Sequence, residues 1–514
     1  MTTANRPPSL RRRWDRFVLR AEGLLDGQRA DQVIPWAVTV GLFSILLALN
    51  AAAIRSLEGG SGLGPWVQAA WRRRNGGIGE PVGGVDPAHA SWSLVSEPIL
   101  WLTRYVPPEA VFSAVQAAAI ALAVVPLWRL ARTEAHLRVG AAVVVIIALA
   151  LAPAIHRTNL SAFHPEVIAL PALLWAYLHA RQSHWKRYGA LVVLVVACRA
   201  DLGLTVAVLG ALLVSRGQRR AGTISVVGGL AWTVLATLVL RPSTPAEGIT
   251  PAGEFVGRAT GPLAVFPRLF TQPITEVGEL LAEPSVLFLV VVLAPLLFLP
   301  LVATRKLLVA MPCLVLAIVA DRAVQREAQR GVLDLSPAAA HVAPALSFVF
   351  VALVFALQRV GRESVTRVNV DRRVLLALLA GVTLFFVAEA PTSPYRQPWD
   401  WGSRDAAAGA MIEAADRVGA DDVAVAVSPA ATVLVAGRAE LVELPPDPVD
   451  LTPARVAEIA REVDVVLLDT SDTRSSTVEP QWTGAERTGA VNHFRDWSFE
   501  VTYEGAGIYL LERT

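Results

Sequence analysis

The stretch HRTNLSAFHPEVIALP sets His156, Arg157, His164 and Glu166 between two apolar runs. Imidazole, guanidinium and carboxylate groups are costly to desolvate at such a depth, and they persist mostly where they meet a partner or a polar cavity. Pro165 suits the first turn of a helix, where its missing N–H costs nothing, and Glu166 then stands near the positive end of the helix dipole. A helix cap that also anchors the membrane interface explains the same residues. Farther on, Arg199-Ala200-Asp201 forms the charged tip between two short apolar segments. Arg199 and Asp201 either neutralise each other as a structural ion pair, or belong to a polar cluster with Glu166. In that cluster the carboxylates would act as base or metal ligand, and Arg199 would hold an anion. His341, after SPAAA at the start of a later apolar segment, is placed to join the cluster or to cap its own helix.

A second group precedes these. Arg72, Arg73 and Arg74 lie on the side of the membrane where arginine is least expected. They suit recognition of a phosphate at the outer bilayer surface, or equally contact with anionic head groups. Glu80, Asp86, His89 and Glu97 follow, each able to serve as an acid or base, and their spacing does not choose among them.

The elements that must position these residues are membrane helices. Of 514 residues, 54% are hydrophobic and 18% charged, a balance that favours lipid as solvent. About eleven apolar segments of near-spanning length are expected. They run approximately from Val33 to Ile54, Ala110 to Leu130, Val139 to Ile155, Phe163 to Ala180, Tyr188 to Cys198, Leu202 to Val214, Ala221 to Leu240, Val286 to Ala303, Leu307 to Ala320, Ala340 to Leu357 and Val374 to Ala388. The pair between Tyr188 and Val214 is short, and reads as a hairpin whose charged tip stops within the membrane, beside protein or a wet cavity. Arg-rich connections around residues 129–138, 181–187, 216–220, 305–306 and 359–373, with the Arg-rich start, face the cytoplasm by the positive-inside rule.

The expected organisation is a cytoplasmic tail (1–30), a transmembrane domain (31–390) with a large first outer loop (55–109), and an extracytoplasmic α/β domain (391–514). In that last part strands alternate with helices and FEVTYEGAGIYLLER closes as a hairpin, which implies a mostly parallel sheet with a final antiparallel pair. It carries no Gly-rich phosphate loop. Short amphipathic pieces of the first outer loop, with Trp66, Trp71, Trp92 and Trp101, suit helices lying at the interface. Cys198 and Cys313 read as small buried hydrophobes. The net charge of +2 recruits no nucleic acid by long-range field.

FHPE opening a helix, the short helix ending in a charged tripeptide before LGLTVAVLGALLV, and the Arg-rich turn that follows resemble DUF2079, a family of predicted membrane proteins. VAVSPAATVLVAGRAELVELP and DVVLLDTSD in the tail look similar too. That family is itself similar to the membrane glycosyltransferases of the C-type superfamily, which take sugar from a polyprenyl-phosphate carrier at the outer face with an acidic residue of the first outer loop. The resemblance implies a role for His164, Glu166 and Asp201 at an outer polar cavity. It also exposes departures: Gly62 and Val67 stand where acidic residues are expected, and Ala200 stands where Glu often precedes the Asp. A transferase needs a carboxylate to deprotonate its acceptor or to bind a metal, so Asp86 or Glu97 would have to serve instead. A divalent cation is the cofactor that this expectation allows, and the metal itself is not legible.

Three readings follow. The first is a glycosyltransferase-like enzyme of the cell membrane, with a polyprenyl-phosphate-linked sugar as donor, Arg72 to Arg74 or Arg199 on the phosphate, and Glu166, Asp201 or Asp86 as acid and base. The second is a non-catalytic relative that holds a lipid or a protein partner. The third is a transporter, because a short hairpin imitates a broken helix at a binding site.

Overall fold

The computed structural model describes residues 27–57, 62–90, 92–236, 283–328, 338–363, 367–396, 402–419, 422–445, 450–471 and 482–514, with short pieces between 248 and 278. The Arg-rich start and most of the loop from Arg241 to Pro284 lie outside the described residues. The principal helices are α1 (Gln28–Arg55), α2 (Gly64–Arg74), α3 (Pro108–Leu122), α4 (Val139–Ala150), α5 (Pro153–Leu160), α6 (Ala169–Arg181), α7 (Trp185–Cys198), α8 (Leu202–Val214), α9 (Arg219–Leu235), α10 (Glu283–Leu293), α11 (Met311–Ala328), α12 (Ala338–Val360) and α13 (Arg372–Glu389).

Among the described residues five helices are long and apolar enough to cross a membrane: Gln28–Arg55, Pro108–Glu134, Leu299–Val319, His341–Val360 and Arg372–Arg396. The pair α4 and α5, bent by 40°, makes a sixth if it counts as one broken span. The other apolar segments form shorter helices. At 1.5 Å per residue, α6, α7, α8 and α9 reach about 20 to 25 Å, less than the hydrocarbon thickness of about 30 Å.

Packing explains which helix sits where. From His341 to Leu357 the side chains of α12 are buried all round, which marks it as the axis of the bundle. Val40, Ile224 and Leu384 on α1, α9 and α13 are each more than 60% exposed, the pattern of helices whose outer faces meet lipid rather than water. The Arg-bearing connections gather at one end. Arg132 binds Asp31 at 2.7 Å, Arg367 donates to the Arg132 carbonyl at 2.6 Å, and Arg181 meets Glu134 at 2.9 Å.

The chain ends in a five-stranded sheet built from β1 (Val425–Val427), β2 (Leu441–Glu443), β3 (Val465–Asp469), β4 (Phe499–Gly505) and β5 (Ile508–Arg513). Their order is β2-β1-β3-β5-β4, with β1 parallel to β2 and β3, and β5 antiparallel to β3 and β4. Helices α14 (Ala406–Arg417), α15 (Pro453–Glu462) and α16 (Gly484–Arg495) complete it. Thr483 and Glu486 form a reciprocal capping box at the start of α16, which satisfies donors that the helix cannot.

This sheet unit docks on the loop that follows α1. Leu57, Val67 and Val82 share one apolar core with Met411, Val425, Val435 and Leu467. The Gln68 amide donates to the Arg438 and Glu80 carbonyls and accepts from the Val82 N–H. From Gly64 to Ala70 every residue of α2 is buried. The aromatic side of this Trp-bearing piece is covered by protein, with Trp66 packed edge-on to Phe163 at 5.0 Å.

Glu443, on the edge strand β2, lies beside the Val82–Gly84 turn of that loop. Burial pushes its carboxyl up from an ordinary 4.5 to about 7, partly offset by the Thr432 hydroxyl. Its Oε2 has no hydrogen-bond partner among the described residues. A carboxyl raised by folding binds its proton more tightly in the folded state, so its contribution to stability is lost as pH climbs from about 4.5 to about 7. Glu443→Gln is expected to flatten that loss, giving an unfolding midpoint above that of the wild type at pH 8 and close to it at pH 4.5, as scanned by thermal unfolding.

Candidate functional site

The HPE segment begins with His164 in extended backbone, followed by a short 3-10 turn, Pro165–Ile168, that runs into α6. Gln116 of α3 fixes this entry. Its Oε1 accepts from the His164 N–H at 2.9 Å, while its Nε2 donates to the Thr158 carbonyl at 2.7 Å. Nothing in the sequence marked Gln116. A glutamine within an apolar run was the only available signal, because such a group must find partners when buried.

Arg199 leaves α7 in an extended conformation, and Asp201 starts α8. The tip between them turns inward onto Glu166. Arg199 Nη1 lies 2.6 Å from Glu166 Oε1 and 2.6 Å from His341 Nδ1, while its Nε and Nη2 grip Asp201 at 2.5 and 2.9 Å. Guanidinium only donates, so Nδ1 of His341 accepts, and the proton of a neutral His341 sits on Nε2. His164 Nδ1 approaches Glu166 at 3.7 Å. The structure therefore brings together Glu166, Arg199, Asp201, His164 and His341.

The centre is dry. The side-chain exposures are 0% for Glu166, 4% for Arg199 and 12% for Asp201. Both carboxylates are bound to one guanidinium, so neither stands ready as a base in this arrangement. Glu166 Oε2 is the exception, being buried with no hydrogen-bond partner among the described residues. No group of three or more His, Cys, Asp or Glu able to hold a metal occurs among the described residues. Cys198 and Cys313 are free and buried, Cys313 lying 3.1 Å from the Thr205 hydroxyl.

The outer-loop residues form a separate cluster. Asp86 pairs with Arg73 at 2.8 Å and stands 3.8 Å from both Arg72 and His89, and Arg73 also binds Glu97 at 2.9 Å. No hydrogen bond or ion pair among the described residues links Asp86 or Glu97 to Glu166, Arg199 or Asp201. The loop reaches the hairpin through backbone instead, with the Val95 N–H donating to the Ala197 carbonyl at 3.2 Å. The remaining pair from the first motif also separates. His156 is held by the Ala150 carbonyl and the Thr392 hydroxyl, both at 2.8 Å. Arg157 reaches the carbonyl and carboxylate of Glu389 at 2.9 and 3.3 Å.

Arg157 also stands at the wall of an apolar pocket. Ala148, Ala152, Phe288, Val292, Leu346 and Phe350 line it. These come from α4, the α4–α5 bend, α10 and α12, so the pocket shares α12 with the Glu166 centre. No sequence signal marks it, because hydrophobic lining and hydrophobic core look alike in one dimension.

A family model described as "Predicted membrane protein (DUF2079)" matches residues 88–505. No curated protein matches the chain in sequence. Among solved structures, the apo oligosaccharyltransferase of Archaeoglobus fulgidus is similar with a TM-score of 0.42 at 12% identity, over 89% of this chain and 71% of that one.

Proposed function

We propose, for a chain that belongs to the DUF2079 family of predicted membrane proteins, that it holds an anionic lipid at the outer side of the membrane. The lipid is of the polyprenyl-phosphate-sugar class that glycosyltransferase-like proteins handle. The reading keeps eleven segments, a cytoplasmic start and an extracytoplasmic sheet unit from about residue 391. One observation carries it: an apolar pocket inside the bundle with a guanidinium, Arg157, in its wall. Apolar lining accepts a hydrocarbon chain at a gain of about 25 cal/mol per Å² covered, and Arg157 is suited to the phosphate. Its present partner, Glu389, is 43% exposed and yields such a pair at small cost.

Transfer of the sugar is a second reading, favoured by the uncommitted Oε2 of Glu166. It requires Arg199 to exchange a carboxylate for the phosphate of the donor, which would free Asp201 or Glu166 as base. Arg72, Arg73 and Arg74 stay in this reading as contacts for lipid head groups, and Asp86 and Glu97 as their counter-ions.

A photoactivatable polyprenyl phosphate in nanodiscs tests the first reading. Labelling is expected on peptides containing Val292 or Phe350, reduced at least tenfold in Ala152→Trp, which fills the pocket, and several-fold in Arg157→Gln. Undiminished labelling of a folded Ala152→Trp protein would remove the reading. Consumption of a labelled lipid-linked sugar by the wild type and not by Asp201→Asn would add the transferase step.

A further inference from the structure

At the end of α6 opposite Glu166, four elements bring cations together over two aromatic rings. Lys306 is only 7% exposed, yet its Nζ makes no hydrogen bond or ion pair among the described residues and rests 4.1 Å from the centre of the Phe355 ring. Arg216, Arg359 and Arg181 lie near enough to repel it. Arg181 lies over the same Phe355 ring at 5.7 Å, and Arg216 over Tyr177 at 5.5 Å. Tyr177 and Phe355 meet edge to face at 6.2 Å. Glu134, the nearby carboxylate, is already held by Arg181 at 2.9 Å.

Three donors here lack an acceptor among the described residues: Lys306 Nζ, the buried Nη1 of Arg216 and the buried hydroxyl of Tyr177. A half-buried ammonium with three guanidiniums close by and no counter-ion among the described residues is unfavourable unless something negative completes it. A satisfied structural network would have paired these groups, as Arg132 is paired with Asp31 at the same end. Cations that only solvate a surface would not direct three donors onto an aromatic floor.

We propose that this end of the bundle is a binding site for a phosphate-bearing anion, held by Lys306 and Arg216 with Arg181 and Arg359 at the rim and the Tyr177 hydroxyl donating from the floor. The phosphate comes either from an anionic phospholipid head group or from a soluble compound, and the geometry recognises both by the same oxygens. The site is independent of the lipid pocket beside Arg157, so one assignment stands if the other fails.

The test is thermal unfolding of the purified full chain in two kinds of nanodisc. In pure phosphatidylcholine, inorganic phosphate is titrated. In the other kind, phosphatidylglycerol replaces part of the phosphatidylcholine. Stabilisation of the wild type by several degrees in either arm is expected, and the arm that responds names the source. Lys306→Met should abolish the shift, and Arg220→Gln, an exposed arginine of the same end, should keep it. If Lys306→Met does not fold, Arg216→Gln is read in its place and should weaken the half-maximal response at least tenfold. No shift in either arm, or an equal shift in the Lys306 or Arg216 variant, would overturn the site.

Discussion

Replacing Arg199 by methionine is expected to destabilise the protein by about 3–5 kcal/mol, the cost of stripping a buried charge of its partner. The effect is large because one guanidinium serves two carboxylates and a histidine. Without it Glu166, wholly buried, has among the described residues the imidazoles of His341 at 3.4 Å and His164 at 3.7 Å beside it, and neither is a permanent cation. Asp201 loses both hydrogen bonds that tie the start of α8 to the end of α7. The double variant Arg199→Met with Glu166→Gln should recover a large part of the loss, since it removes the orphaned charge together with its partner. Melting temperatures of the two single variants and the double, in detergent, give the coupling directly. Additive losses would show that Arg199 and Glu166 do not act as a pair. Arg199→Lys should lie between, because an ammonium cannot grip Asp201 through two parallel bonds.

The second large effect lies at Gly79. It sits at φ +83° in the loop beneath the sheet unit, and a Cβ there would come 2.0 Å from the Ala439 carbonyl oxygen. A left-handed backbone costs a residue with a side chain about 1–2 kcal/mol, and the obstacle is main chain, which cannot swing aside. Gly79→Ala should therefore separate loop from tail while leaving the bundle folded. The expected readout is a rise of tenfold or more in the rate at which protease removes the part beyond residue 402, with helical circular dichroism unchanged. A cleavage rate equal to wild type would show that the contact is slack enough to absorb the methyl group. Gly76→Ala makes the control, since a Cβ there meets nothing within 4 Å and its φ of +75° carries the same backbone cost.

Much of this architecture was legible because its signals are local. The strand–helix alternation from residue 406 onward survives almost element for element, since period-two and period-3.6 patterns need no knowledge of neighbours. Helix α16 escaped notice because GAERTGAVNHFR has a weak apolar stripe and is announced mainly by its capping box. In the membrane part the contacts of Arg132, Arg181 and Arg367 gather three of the Arg-rich connections at one end. Span length was harder to read, because an apolar run shows that a segment can be buried without showing that it crosses. The centre itself was half visible. Charged residues in apolar surroundings pointed to Glu166, Arg199, Asp201 and His341, but their mutual saturation depends on which way a three-residue tip folds. Asp86 and Glu97 looked equally reactive in sequence, and their arginine partners lie one helix away.

The bond from Gln68 to Arg438 joins residues 370 positions apart, one from the connection after α1 and one from the sheet unit. Every intervening segment must be threaded before the two can meet. The two ends of that bond lie on one side of any bilayer the bundle spans, so the chain between them crosses it an even number of times.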